Sequence, residues 1–233
     1  MSRNGIIKVT LAVAIAVTIS IGSTLAFMSN MATDPKTNKF NVLSGNKDLT
    51  AQLTETQWDA TKALNIVPGT VVNKNPVILN TTGSHGVDPT TYAANGSGAV
   101  NPVTEWAAAK VTFFKGDGVT PITSAADLAT LWNVITINWN TTDWVIKTGE
   151  TNQDAAQTWY YKTNVLAAGG ATNPLFTTVT INSGATVANL NIVTGTTGTG
   201  WNGFIIHIDG AVVQGDISAT YNAAMPELDA LLP

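Results

Sequence analysis

Val134-Ile135-Thr136-Ile137-Asn138-Trp139-Asn140-Thr141-Thr142-Asp143-Trp144-Val145-Ile146-Lys147 holds two short runs of β-branched and aromatic residues, parted by the polar step 140–142. Such residues suit a pleated, half-buried surface, and a polar cluster of this length marks a turn, so both runs read as strands. The pattern recurs at Thr158–Lys162, Leu175–Ile181, Val187–Val193, Gly203–Ile208 and Ala211–Asn222, between Gly, Asn and Thr clusters. Upstream, Leu49, Ala51 and Leu53 alternate with polar neighbours, the period-two signature of a strand with one buried face. Pro68-Gly69 fits the middle of a type II turn, with Val71-Val72 and Pro76–Leu79 continuing as strand in a hairpin. Trp106–Phe114 is a further strand, closed by the turn Lys115-Gly116-Asp117-Gly118.

One segment departs from this period. Ser124-Ala125-Ala126-Asp127 places a hydroxyl at a helix start and a carboxylate three residues on, ahead of Leu128, Leu131 and Trp132 at helical spacing, which predicts one short helix over about 124–133. Asn80 to Pro102 offers almost no apolar side chain and reads as a long surface loop. The tail, Ala223–Pro233, with Leu228, Leu231 and Leu232, reads either as a short helix or as a flap over a sheet edge. No fixed repeat period is present, which argues against a solenoid or propeller. The expected fold is all-β: a jelly-roll-like antiparallel β-sandwich over 41–233, with that one short helix and an extended N-terminal arm.

The N-terminus points to where the chain works. Arg3 and Lys8 lead into the apolar run Val9–Ile21, and small residues follow up to Ala26-Phe27. Basic, apolar and small residues in that order form an export signal. Thr24 and Ala26 suit a signal peptidase, so 1–26 is expected to leave and Phe27 to become the first residue. The alternative is a retained anchor, which Lys8, Thr10, Thr18, Ser20, Gly22, Ser23 and Thr24 make a poor span by interrupting it. Residues 27–40 then form a polar leading arm.

Composition narrows the function. Losing Arg3 and Lys8 leaves nine basic residues against fifteen acidic ones, so the net charge moves from −4 to −6 and no arginine remains. Nucleic-acid binding needs clustered Lys and Arg and is excluded. Charged residues are only 11% of the chain, which gives a neutral polar surface able to touch copies of itself without strong repulsion. Cysteine is absent, so no disulfide staples the fold.

Catalytic patterns are weak. The only histidines, His85 and His207, lack zincin spacing, and His207 with Asp209 makes a pair where a catalytic zinc takes three ligands. Ser97 lacks a nucleophile elbow, and Asp117 and Asp209, each before a glycine, read as turn residues rather than calcium ligands. Asn80, Asn95 and Asn140 lie in Asn-x-Ser/Thr triplets of the kind that chance supplies in such a chain. Seven tryptophans suit core packing, with Trp201 the one expected to be exposed and able to stack on a sugar. No enzyme activity, cofactor or metal is expected.

Several segments together resemble the TasA/camelysin family of exported biofilm-matrix fibre proteins. They are Thr24-Leu25-Ala26-Phe27-Met28-Ser29-Asn30, Asp48-Leu49-Thr50-Ala51-Gln52-Leu53, Trp58-Asp59, Ile66-Val67-Pro68-Gly69-Thr70-Val71-Val72-Asn73-Lys74-Asn75-Pro76 and Asn80-Thr81-Thr82-Gly83-Ser84, then Trp159-Tyr160-Tyr161-Lys162 and Thr172-Asn173-Pro174-Leu175-Phe176. The resemblance implies a jelly-roll-like sandwich, a dedicated signal peptidase as partner, and a secreted or cell-surface location. It also implies a homopolymer in which the mature arm inserts as a strand into the next copy, with Phe27, Met28, Met31, Ala32 and Phe40 as its apolar contacts. A surface adhesin or module binding matrix polysaccharide is the alternative, and a camelysin-like metallopeptidase ranks behind both. N-terminal sequencing of secreted protein is expected to start at Phe27; a start at Met1 or Ser2 contradicts cleavage.

Overall fold

A computed structural model of the chain describes residues 41–43 (backbone only), 51–57, 67–81, 104–195, 200–215 and 219–233. Among them the protein is mostly β, with antiparallel sheets and three short helices. The main sheet has five strands in the order β1 (Asn41–Leu43), β10 (Phe204–Gln214), β5 (Glu105–Lys115), β8 (Ala156–Tyr161) and β7 (Trp144–Ile146). A three-stranded sheet runs β3 (Val71–Asn73), β9 (Phe176–Ile181), β6 (Ile135–Trp139), and β2 (Ala51–Thr54) pairs with β4 (Val77–Asn80). Every pairing is antiparallel except β1 with β10.

The longest ladder joins β5 to β10 over eleven residue pairs, from Phe204 opposite Lys115 to Gln214 opposite Glu105. Alternation divides its side chains between two faces. Ala107, Ala109, Val111 and Phe113 of β5, with Phe204, Ile206, Ile208 and Val212 of β10, enter the large core shared with Val72, Ile135, Ile137, Phe176, Val179 and Ile181 of the three-stranded sheet. Trp139 bridges the two sheets, stacked on Trp159 at 4.8 Å and edge-on to Phe176 at 5.1 Å. Each large side chain so buried contributes about 1.5–3 kcal/mol.

On the opposite face of the ladder, Trp106, Ala108, Tyr160, Ala211 and Val213 form a second core under helix α3 (Tyr221–Leu231), which inserts Ala224 and Leu228. Polar contacts fix its far end: the Tyr160 hydroxyl donates to Asp229, Lys147 Nζ lies 2.8 Å from the same carboxylate, and Lys110 Nζ donates to the Pro233 carbonyl oxygen. Burial, with the Asp229 hydrogen bond next, raises the Tyr160 pKa, and Asp229 also raises that of Lys147.

Helix α1 (Ala125–Val134) forms where its cap predicts: Ser124 Oγ accepts from the Asp127 N–H at 3.1 Å. The expectation of one helix is corrected to three among the described residues. Val187–Val193, read as a strand, is helix α2 (Val187–Thr194). Its β-branched residues favour extended chain, but Val187 is 72% exposed and gains little there. The ends decide: Thr186 caps the Asn189 N–H at 3.2 Å, and Gly195 takes φ +75° and donates to the Asn191 carbonyl. The Asp209-Gly210 turn is likewise corrected, since β10 runs straight through it. The final strand ends at Gln214 rather than Asn222, and the tail is the helical option, with Thr220 accepting from the Ala223 N–H.

The Pro68-Gly69 turn is present, with Gly69 at φ +87° and the Thr70 N–H bonded to the Val67 carbonyl at 3.0 Å. The strand after it, β3, has its ladder with β9. At the β6–β7 turn the Asp143 carboxylate accepts from Asn140 (2.9 Å), Thr163 (2.8 Å) and Asn173 (2.9 Å), contacts that hold its pKa below the usual 3.8, the Asn140 bond foremost. A depressed carboxylate pKa contributes stability that is fully present above the unfolded value and lost as pH falls through the folded one. Asp143→Ala is expected to cost about 1–2 kcal/mol in urea unfolding at neutral pH, and the gap from the natural protein should narrow progressively as pH falls below 3.8. An equal gap at every pH contradicts this role.

Candidate functional site

The predicted site residues Ala26, Phe27, Met28, Met31, Ala32 and Phe40 lie outside the described residues, as do His85, Asn95, Ser97 and Trp58. What the structure does place is a sheet edge only partly covered among the described residues. Strand β10 is paired along its whole length with β5 on one side; on the other, β1 covers only Ala211, Val212 and Val213. Among the described residues, Ile205–Gly210 have no strand on that outer side. In a strand, alternate N–H and C=O groups point sideways, so this stretch presents a row of backbone donors and acceptors.

Direction matters as much as vacancy. Because β1 runs parallel to β10 with Asn41 opposite Ala211, the N-terminal end of β1 lies toward the Gly210 end of the open stretch. A strand laid parallel along Ile205–Gly210 in the register that β1 sets would place the residue three before its Gly210 partner opposite His207. Beneath the edge, Ile206 and Ile208 are already buried. An added strand would therefore extend the sheet through its backbone and would not fill a missing layer of core. Strand β2 lies near β10 without joining its ladder.

The edge carries its own charge. His207 and Asp209 share one face of β10, with His207 Nδ1 3.2 Å from Asp209 Oδ2, and Phe114 meets the imidazole edge-on at 6.0 Å. Charged groups on an edge strand deter indiscriminate pairing. Among the described residues no group of three or more His, Cys, Asp or Glu could hold a metal ion. The sequence reading missed this edge because it cut the strand at Asp209-Gly210. The unbroken run of β-formers from Phe204 to Val213, with Asp209 as its lone acid, was the signal.

Other sequence-level candidates resolve into structural roles. Trp201, expected to be exposed, is 6% exposed, with Lys115 Nζ 5.4 Å from its ring centroid. Trp106, Trp144 and Trp159 are buried as well. Asp117 is a turn residue, accepting from the Val119 and Thr120 N–H groups at 2.9 and 2.8 Å, and the Thr120 hydrogen bonds lower its pKa. Asn80 is buried with its amide on the Leu166 carbonyl, and the Asn140 amide is bound by Asp143 and the Pro174 carbonyl.

The chain matches no family model, no curated protein and no solved structure. No helix among the described residues is long and apolar enough to cross a membrane.

An open edge has a direct signature in hydrogen exchange. In unassembled protein, alternate amides over Ile205–Gly210 are expected to exchange fast while those bonded to β5 stay slow. Uniform protection across the six residues contradicts an open edge.

Proposed function

We propose that the protein is a secreted structural subunit of a cell-surface or biofilm-matrix filament, in which the mature arm of one copy, 27–40, adds to the open β10 edge of the next. The observation that carries this reading is the half-covered edge of β10, where β1 already enters in parallel from the side of the arm. An arm leaving one copy and pairing on the next makes a head-to-tail contact that does not close on itself, and such a contact grows into a filament. The scarcity of charge on the chain and its resemblance to the TasA/camelysin fibre proteins support the same reading, as does an architecture compatible with a jelly-roll-like sandwich. Signal peptidase would act first: cleavage after Ala26 frees Phe27 and confines assembly to the outside of the cell.

The arm then works mainly through its backbone, with Phe27, Met28, Met31, Ala32 and Phe40 adding apolar contact. Among the described residues no tryptophan favours the polysaccharide-binding alternative, since Trp106, Trp144, Trp159 and Trp201 are buried and Trp132 and Trp139 pack partly buried against the core. Deleting 27–40 from the mature protein is expected to abolish filaments in negative-stain micrographs while leaving the circular dichroism of a β protein intact. Filaments of normal length from the deleted chain overturn the proposal.

A further inference from the structure

Lys74 and Glu55 face each other in the interior. Both side chains are 1% exposed, and Lys74 Nζ lies 2.6 and 2.7 Å from the two carboxylate oxygens of Glu55. Glu55 follows the end of β2 and Lys74 the end of β3, strands that belong to different sheets. Neighbouring contacts hold the two segments in place: the Lys74 N–H donates to the Thr177 carbonyl at 3.0 Å, the Gln57 N–H to Asn75 Oδ1 at 2.7 Å, and Asn75 Nδ2 to Thr56 Oγ1 at 3.2 Å. On β2, β3 and β4, Leu53, Val72 and Ile78 are buried.

We infer that this pair is a site of covalent modification, closing to an amide between Lys74 Nζ and Glu55 Cδ. An amine and a carboxyl group held at contact distance have already met the entropic requirement for bond formation. Burial opposes the charged form of Lys74: desolvation is the largest influence on it, lowering its pKa and favouring the nucleophilic amine. The ammonium proton passes to the carboxylate; the neutral nitrogen attacks Cδ; the C–O bond to one oxygen breaks, and that oxygen leaves as water with the proton shed by nitrogen. One C–N bond forms and one water is released, with no oxidant, metal or cofactor required.

The amide would tie the β2–β4 pair to the β3–β9–β6 sheet, a staple in a chain without cysteine. It would also remove a buried ion pair, whose desolvation penalty commonly offsets its attraction. The inference is independent of how copies assemble.

Intact mass spectrometry of the purified, denatured chain is expected to read one water, about 18 Da, below the mass of its sequence, with tandem spectra of a tryptic digest showing a branched peptide that joins Glu55 to Lys74 and escapes cleavage after Lys74. Glu55→Ala and Lys74→Arg should each restore the full mass. A natural chain at full sequence mass, with Lys74 cleaved by trypsin, overturns the inference, and so does a mass deficit that maps to any other pair.

Discussion

The eleven-residue ladder between β5 and β10 is the constraint on which the rest of the molecule depends. Its register fixes which side chains enter the large core and which lie under α3. A slip of one residue would exchange Val111 and Phe113 with Lys110 and Thr112, placing charge in the interior and apolar surface outside. The two cores are therefore the two faces of one pair of strands, and both would be lost with it.

The same ladder leaves β10 covered on its outer side, among the described residues, only where β1 pairs with Ala211–Val213. Most proteins blunt such an edge with short strands, charge or a covering segment. Here β7 at the opposite edge has only three residues, while β10 carries His207 and Asp209 and a three-residue cover from β1. Among the described residues, that cover stops at Ala211, and the proposed occupant of the remaining stretch is the arm of another copy. Under the proposed function, cleavage at Ala26-Phe27 would act on an edge more than a hundred and seventy residues away in sequence. The tie between Glu55 and Lys74 concerns a different need, holding the smaller sheets in place where no disulfide can.

Much of this was legible in the sequence because local chemistry agreed with the tertiary answer. The Ser124 cap, the turn at Asp117 and the runs that became β5 to β9 each state their structure within a few residues. The misses have a common cause. Val187–Thr194 is rich in β-branched residues, yet its two caps and its exposure make a helix; Asp209-Gly210 has turn chemistry, yet pairing with Lys110 and Ala109 holds it extended; Trp201 sits between Gly200 and Asn202, yet is buried. In each case partners far along the chain, or the ends of the segment, outweighed the local preference. The open edge was invisible for the same reason, since which strand lies at a boundary is a property of sheet order and not of composition.

The central claim is that the arm of one copy lies along β10 of another, and the absence of cysteine makes it directly testable by cross-linking. Chains carrying Thr37→Cys alone and His207→Cys alone, mixed before assembly and oxidised, are predicted to give an interchain disulfide that links one of each on a non-reducing gel. No mixed dimer, together with an intrachain bond in the doubly substituted chain, would show the arm closing its own edge and contradict the account.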